Sequence, residues 1–334
     1  MSTAIGRIKD IDYAYSVSRI HAVERSLLDR GKIMQIAEAK TASDALRMIY
    51  DAGYKHEEDY EASFEAAVRE AYELVYSMAP DPRIFDVFLI ENDYYNLKVL
   101  LKAEFLDKNL DYLLNPSCRA GLDKIKEAVR ERKGAEISDN FARAMDGALA
   151  SFARDKNVQL VDMVIDKACF AERAQFAQET GNAFVIGLVQ TQIDLINIRT
   201  MLRLRKMGKA YAFAKEAMLP GGGVSTDLLA MGVAEAKEAV VQSFGLTKYG
   251  RLVSDNAAAF DGGAEAMAAL ETACGDYLID YMRSAKRVTF GVEPLVAYLF
   301  AKENEVKQLR IILVGKNSGM DSELLKRRLN IAYV

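Results

Sequence analysis

The sequence predicts an all-α protein built from three homologous helical domains. Three observations carry that prediction. The composition favours helix, with no Trp, only five Pro in 334 residues, and Ala, Leu, Glu and Lys dominant. Apolar residues make up 51% of the chain, enough for a large core. One helical stretch, residues 91–102 (ENDYYNLKVLLK), comes back twice.

In each copy an acid lies three residues before an amide, which is followed by an apolar residue and a cation. The sets are Asp93/Asn96/Leu97/Lys98, Asp194/Asn197/Ile198/Arg199 and Glu305/Gln308/Leu309/Arg310. Breakers keep the same distance: Pro82 and Pro294 each precede the amide of their copy by 14 residues, and Gly181-Asn182 holds the matching place in the middle copy. The copies lie 101 and 111 residues apart. That is too long for a solenoid repeat and is the size of a small domain. The expected domains are 1–116, 117–221 and 222–334.

The first element, over 11–28, has apolar residues at helical spacing and a stop at Arg30-Gly31. Ser43-Asp44 caps a second helix through Tyr50. Residues 57–73 hold seven acids against one Arg, either a solvated face or a docking surface for a basic partner. Ala79-Pro80-Asp81-Pro82 ends that helix and starts the next, over 83–106, which carries the first trio and is closed by Asn115-Pro116. A charged helix over 122–132 follows, then a loop over 134–138 with Ser138 or Asp139 as a cap, and a long helix over 158–178. The second copy spans 183–218 and ends at Leu219-Pro220-Gly221-Gly222-Gly223, after which Ser225, Thr226 or Asp227 caps the next helix. Loops at 245–250 and 261–263 and a helix over 277–287 lead to the third copy, which starts at Val292-Glu293-Pro294. Asn317-Ser318-Gly319 interrupts it, and a short basic helix with Lys326, Arg327 and Arg328 follows.

Several function classes are excluded. A net charge of −4 lacks the basic footprint of a nucleic-acid binder. Gly315-Lys316 is followed by Asn317 and has no upstream glycine, so there is no P-loop, and the Gly221–223 run follows a helix where a dinucleotide fingerprint needs a strand. The only histidines, His21 and His56, lack the Glu-x-x-His spacing of a helical di-iron site and leave little room for a nucleophile–base pair. Cys118, Cys169 and Cys274 are too far apart for a CxxC-type metal site and read as buried thiols in a reducing compartment. No cofactor is expected. The first twenty residues have no apolar h-region, and the longest apolar run, 183–189, falls far short of the roughly 20 residues of a spanning helix. Any link to a membrane would go through another protein.

The repeated trio has two readings. Acid, amide and cation can satisfy one another inside a helix bundle and fix its register. Alternatively, each helix presents its polar residues to a shared central cavity. Residues 199–209 add five cations and no acid, and Arg199, Arg203 and Lys206 fall on one helix face, which suits solvent or an acidic partner. A metal-dependent all-α enzyme using Glu91, Asp93 and Asp194 and a soluble helical scaffold are the alternatives.

With DYYNLK, DLINIR and EVKQLR at corresponding places, and YAYSVSRIHAVERSLL near the start, the chain resembles the C subunit of the prokaryotic V/A-type ATPases and ATP synthases, the counterpart of the eukaryotic d subunit. The likeness covers essentially the whole chain. The third copy departs most, with Glu305 and Gln308 where the family pattern has Asp and Asn. The resemblance implies a funnel of three pseudo-threefold helical domains. It also implies a non-catalytic rotor part of the central stalk, one per complex, binding the central-shaft subunits and the membrane proteolipid ring and no nucleotide. Such a part is cytoplasmic, held peripherally through the membrane sector. The contact residues it suggests are Asp93, Asn96, Lys98, Asp194, Asn197, Arg199, Arg203, Lys206, Glu305, Gln308 and Arg310.

Overall fold

A computed structural model describes residues 9–334; residues 1–8, part of the N-terminal stretch read above for an h-region, lie outside the described residues. All regular structure among the described residues is helical. In order, the first eight helices are α1 (Ala14–Val23), α2 (Arg30–Ala37), α3 (Ala42–Asp51), α4 (Tyr60–Met78), α5 (Asp86–Leu106), α6 (Leu122–Glu131), α7 (Asp139–Asp155) and α8 (Val158–Thr180). They are followed by α9 (Ala183–Lys206), α10 (Tyr211–Ala217), α11 (Thr226–Met231), α12 (Lys237–Phe244), α13 (Gly250–Asp255), α14 (Ala264–Arg283), α15 (Glu293–Asn317) and α16 (Ser322–Lys326). No helix is long and apolar enough to cross a membrane among the described residues.

The sequence-predicted helices are present, with local corrections. The helix expected over 11–28 ends at Val23: Leu27 is extended, and Asp29 accepts the Lys32 N–H, so Arg30-Gly31 opens α2 and does not stop α1. Thr41, two residues earlier than expected, caps α3 by accepting the Asp44 N–H. The second copy stops at Lys206, because Gly208 sits at φ +63° and α10 starts afresh at Tyr211. The helix expected over 277–287 already begins at Ala264. Ser138, Asn182 and Ser225 cap α7, α9 and α11 as side-chain acceptors.

The chain forms two compact units. One joins the N-terminal part up to Pro82 with Arg251–Val334; the other is Arg83–Gly250. In the first, α15 is the central helix. Fourteen of its 25 residues are buried, and it packs against α1, α2, α3, α4 and α14. Its core joins Ile33, Ile36, Ile49 and Phe64 to Leu309, Ile312 and Leu313, and is completed by Leu325 and Leu329.

In the second unit α5, α7 and α9 all pack on α8, over a core of Ile90, Tyr94, Leu97, Phe141, Met145, Val161 and Ile165. Tyr94, Lys98 and Lys102 of α5 meet Glu172, Asp166 and Asp162 of α8, so the two helices are antiparallel. The Gly181-Asn182 turn makes α9 antiparallel to α8 as well, and Arg173 of α8 meets Gln192 of α9. Helices α5 and α9 therefore run parallel and finish at the same end of the unit, where α8 begins.

Candidate functional site

The acids of the three trios share one construction. Each acid is almost wholly buried and pins a remote segment of backbone. Asp93 Oδ1 accepts the Ala120 N–H at 3.0 Å and its Oδ2 the Arg119 Nε at 3.1 Å. Asp194 Oδ1 accepts the Val224 N–H at 2.9 Å, and its Oδ2 the Tyr249 hydroxyl at 2.7 Å. Glu305 Oε2 accepts the Leu28 N–H, and its Oε1 the Tyr54 hydroxyl at 2.7 Å and Lys302 Nζ at 2.6 Å. A backbone donor on one oxygen and a side-chain donor on the other recurs each time. Burial pushes the Asp93 carboxyl up against the pull of Ala120 and Arg119. Burial, reinforced by Glu305, pushes the Tyr54 hydroxyl up, so it stays a donor.

The amides of the first two copies each grip one residue. Asn96 donates to the Asn115 carbonyl and accepts its N–H, both at 2.8 Å. Asn197 does the same to Leu219, at 2.9 and 2.8 Å. Asn115 and Leu219 both precede a proline, a position held extended by the ring that follows and unable to pair within a helix. The Asn side chain supplies the partner that both backbone groups lack. In the third copy Gln308 is 1% exposed, and its Oε1 has no hydrogen-bond partner among the described residues.

The cations differ. Lys98 pairs with Asp166 on α8; burial works against its charge, Asp166 outweighs that and holds the ammonium above its ordinary range, while burial also lifts the Asp166 carboxyl. Arg310 takes Glu61 of α4 in a forked contact, its Nε and Nη2 2.7–3.0 Å from the carboxylate. Arg199 donates to the Leu195 carbonyl of its own helix at 3.3 Å. Arg203 and Lys206 are exposed on the last turns of α9. Arg205, between them, donates to the carbonyls of Gly232 and Glu235, just beyond α11.

Sequence reasoning missed the partners: Arg119, Tyr249, Tyr54, Leu28 and the Gly221–223 run. A Cβ on Gly222 would stand 2.3 Å from Asp194 Oδ1, and one on Gly223 3.2 Å from its Oδ2. These glycines let the returning chain lie against a buried carboxylate. A faint signal was present, since Tyr54 and Tyr249 follow their backbone donors by 26 and 25 residues. Also missed was Arg173, 1% exposed, which bonds the Val87 carbonyl, Glu91 and Gln192 and so ties α8 to α5 and α9.

A metal site on Glu91, Asp93 and Asp194 is corrected by this geometry. Glu91 is held by Arg173, Asp93 by Arg119 and Ala120, and Asp194 by Val224 and Tyr249. Among the described residues no group of three His, Cys, Asp or Glu side chains is placed to hold a metal ion.

Residues 16–328 match the family model of the ATP synthase (C/AC39) subunit. The chain is 26% identical to the C subunit of the V-type sodium ATPase of Enterococcus hirae over 287 residues, 85% of each chain. It is 22% identical to the C subunit of the A-type ATP synthase of Desulfurococcus sp. (strain SY), covering 94% of this chain and 89% of that one. It is 24% identical to the C subunit of the A-type ATP synthase of Thermococcus gammatolerans, covering 94% and 88%. With a match running nearly end to end, the chain belongs to the ATP synthase (C/AC39) subunit family.

Proposed function

We propose that this protein is the non-catalytic central-stalk subunit of a V/A-type rotary ATPase, a socket that couples the central shaft to the membrane proteolipid ring. One copy would serve each complex, on the cytoplasmic side and peripheral to the membrane sector. The observation that carries the reading is the repeated clamp inside a chain of this family. Buried acids are committed to Ala120, Val224 and Leu28, so the conspicuous polar residues serve rigidity. A part that transmits torque between two partners must resist shear, and tying each long helix to a distant segment stiffens it.

The three stretches 1–116, 117–221 and 222–334 are read as three helical repeats about an axis, with Pro116 and Gly221 falling just after Asn115 and Leu219, the residues that the amides grip. Each acid draws its backbone donor from outside its own stretch, Asp93 from Ala120, Asp194 from Val224 and Glu305 from Leu28, so the three boundaries are ones of sequence more than of packing. Within the set of proposed contact residues, Asp93, Asn96, Asp194, Asn197 and Glu305 brace the interior, Gln308 is buried with its carbonyl oxygen unpaired, Lys98 and Arg310 tie adjacent helices, and Arg199, Arg203 and Lys206 are the members assigned to the partner surface.

The test is association. Tagged protein recovered from gently solubilised membranes should bring the shaft subunits and the ring with it, and the purified chain should hydrolyse no ATP. Recovery of neither partner, or turnover of ATP by the chain alone, would overturn the reading.

A further inference from the structure

The segment that follows α16 is buried without being regular. Residues 329–334 form no helix, yet Leu329, Asn330, Ala332 and Tyr333 are buried. Among the described residues, no main-chain N–H of 330–334 donates to a main-chain carbonyl. Side chains supply the partners that buried main-chain groups need. Asp276 Oδ1 accepts the Ile331 N–H at 2.9 Å and Asn330 Nδ2 at 3.0 Å, and Asn330 also donates to the Thr272 carbonyl at 2.8 Å. Arg283 donates to the carbonyls of Ala332 and Tyr333. Thr272, Asp276 and Arg283 all belong to α14, which thus carries the segment as a strap. Beyond α14, the Tyr333 hydroxyl donates to Glu24 Oε1 at 2.8 Å; burial, reinforced by Glu24, pushes that hydroxyl up, so it stays a donor.

Gly275 makes the seat. A Cβ there would stand 2.3 Å from Asn330 Nδ2 and 2.7 Å from its Cγ. The Asn330 amide cannot swing clear without giving up its bonds to Thr272 and Asp276. On its other side the strap meets the third clamp. Ala332, Tyr333 and Val334 share one small cavity with Leu28, Glu305 and Gln308. Glu305 holds the Leu28 N–H there, and Leu28, Glu305 and Gln308 are 8%, 3% and 1% exposed. A segment held by a few side chains and by no main-chain ladder can open without the helices it lies on. We infer that residues 329–334 are a latch that opens as a unit of its own and, while seated, keeps water from the bond between Glu305 and Leu28. Its release loosens the N-terminal helices from α15.

Residue-resolved amide hydrogen exchange of the full chain tests the latch, with Gly275→Ala as the probe. Alanine in place of a mid-helix glycine favours the helix by itself, so a looser strap cannot come from a weakened α14. G275A should speed exchange at Ile331 and at Leu28 by about tenfold or more, with the α15 amides of Leu309 and Ile312 held within about twofold. Y333F removes only the hydroxyl donated to Glu24. It should move the same two amides in the same direction by a smaller factor, and it takes the place of G275A if that variant does not fold. Unchanged exchange at Ile331 overturns the latch. Faster exchange at Ile331 with Leu28 unchanged overturns it too, because the strap then guards nothing at Glu305. Equal acceleration at Ile331, Leu28, Leu309 and Ile312 is the mark of a unit that opens only as a whole, and has the same consequence.

Discussion

Asn197 and Gln308 occupy the same place in two copies of one pattern, yet one is saturated and the other is not. Asn197 closes a pair of bonds on Leu219, and Asn96 repeats the arrangement on Asn115. Gln308 is as deeply buried and leaves its carbonyl oxygen unpaired. The acids show no such divide, because Glu305 pins Leu28 and Tyr54 much as Asp194 pins Val224 and Tyr249. The acid clamp is therefore common to all three copies, and the amide clamp belongs to the two in which the chain returns through a proline. In the third copy the pinned segment comes from the far end of the sequence, 277 residues away, and brings no pre-proline residue to grip.

The contrast breaks most visibly at Asn197. Replacing it with Leu strands the N–H and C=O of Leu219 in the interior, and each orphan costs about 1–3 kcal/mol. N197L should lose about 2–4 kcal/mol in denaturant unfolding. A loss below about 1 kcal/mol would mean that the Leu219 groups find water or another partner, and the clamp would then be geometry without consequence. A second substitution tests the acid side. Gly222→Ala forces a methyl against Asp194 Oδ1, at 2.3 Å if nothing moves. The loop must shift off the carboxylate, at a cost of about 1–3 kcal/mol. Combining it with D194A should cost less than the sum of the two single effects, because both act on one contact; strict additivity would show that the glycines serve something other than the carboxylate.

Smaller still is the effect at the cations. Arg310 and Glu61 are half exposed, so R310M should cost about 0.5–1 kcal/mol and lose that effect in high salt.

The fold class and most helices were legible because each rests on local signals, namely caps, prolines and apolar spacing. Asn182, Ser138 and Ser225 cap where their chemistry says they should. Local reading failed at Arg30-Gly31, where the Asp29 cap outweighed the glycine, and at Gly208, where one left-handed residue divided a long apolar pattern. The trio itself was visible as a repeat, but its purpose was not. Bracing and display to a cavity predict the same residues, and the deciding partners lie 19 to 55 residues away for the first two copies and at the other end of the chain for the third. Arg119 and Tyr249 have no sequence mark that distinguishes them from any surface Arg or Tyr.

The smallest expected effect is the most discriminating. At Asn197 an apolar replacement removes partners; at Gln308 it removes an unpaired carbonyl. Gln308→Met keeps length and volume while deleting the orphan oxygen, so the desolvation cost of burying that group disappears on folding. The change in stability should lie between zero and about 1 kcal/mol in favour of the variant, the opposite sign from N197L. Thermal and denaturant melts of the two single variants measure both signs directly. If Q308M instead destabilises by as much as N197L, the Gln308 amide has a partner as strong as Leu219, a buried water included, and the third copy is clamped like the others. If the signs differ, the third copy is held by its acid alone. Its long helix then keeps its hold on the N-terminal segment through Glu305, the Arg310–Glu61 pair and the shared apolar core, with no contribution from the amide.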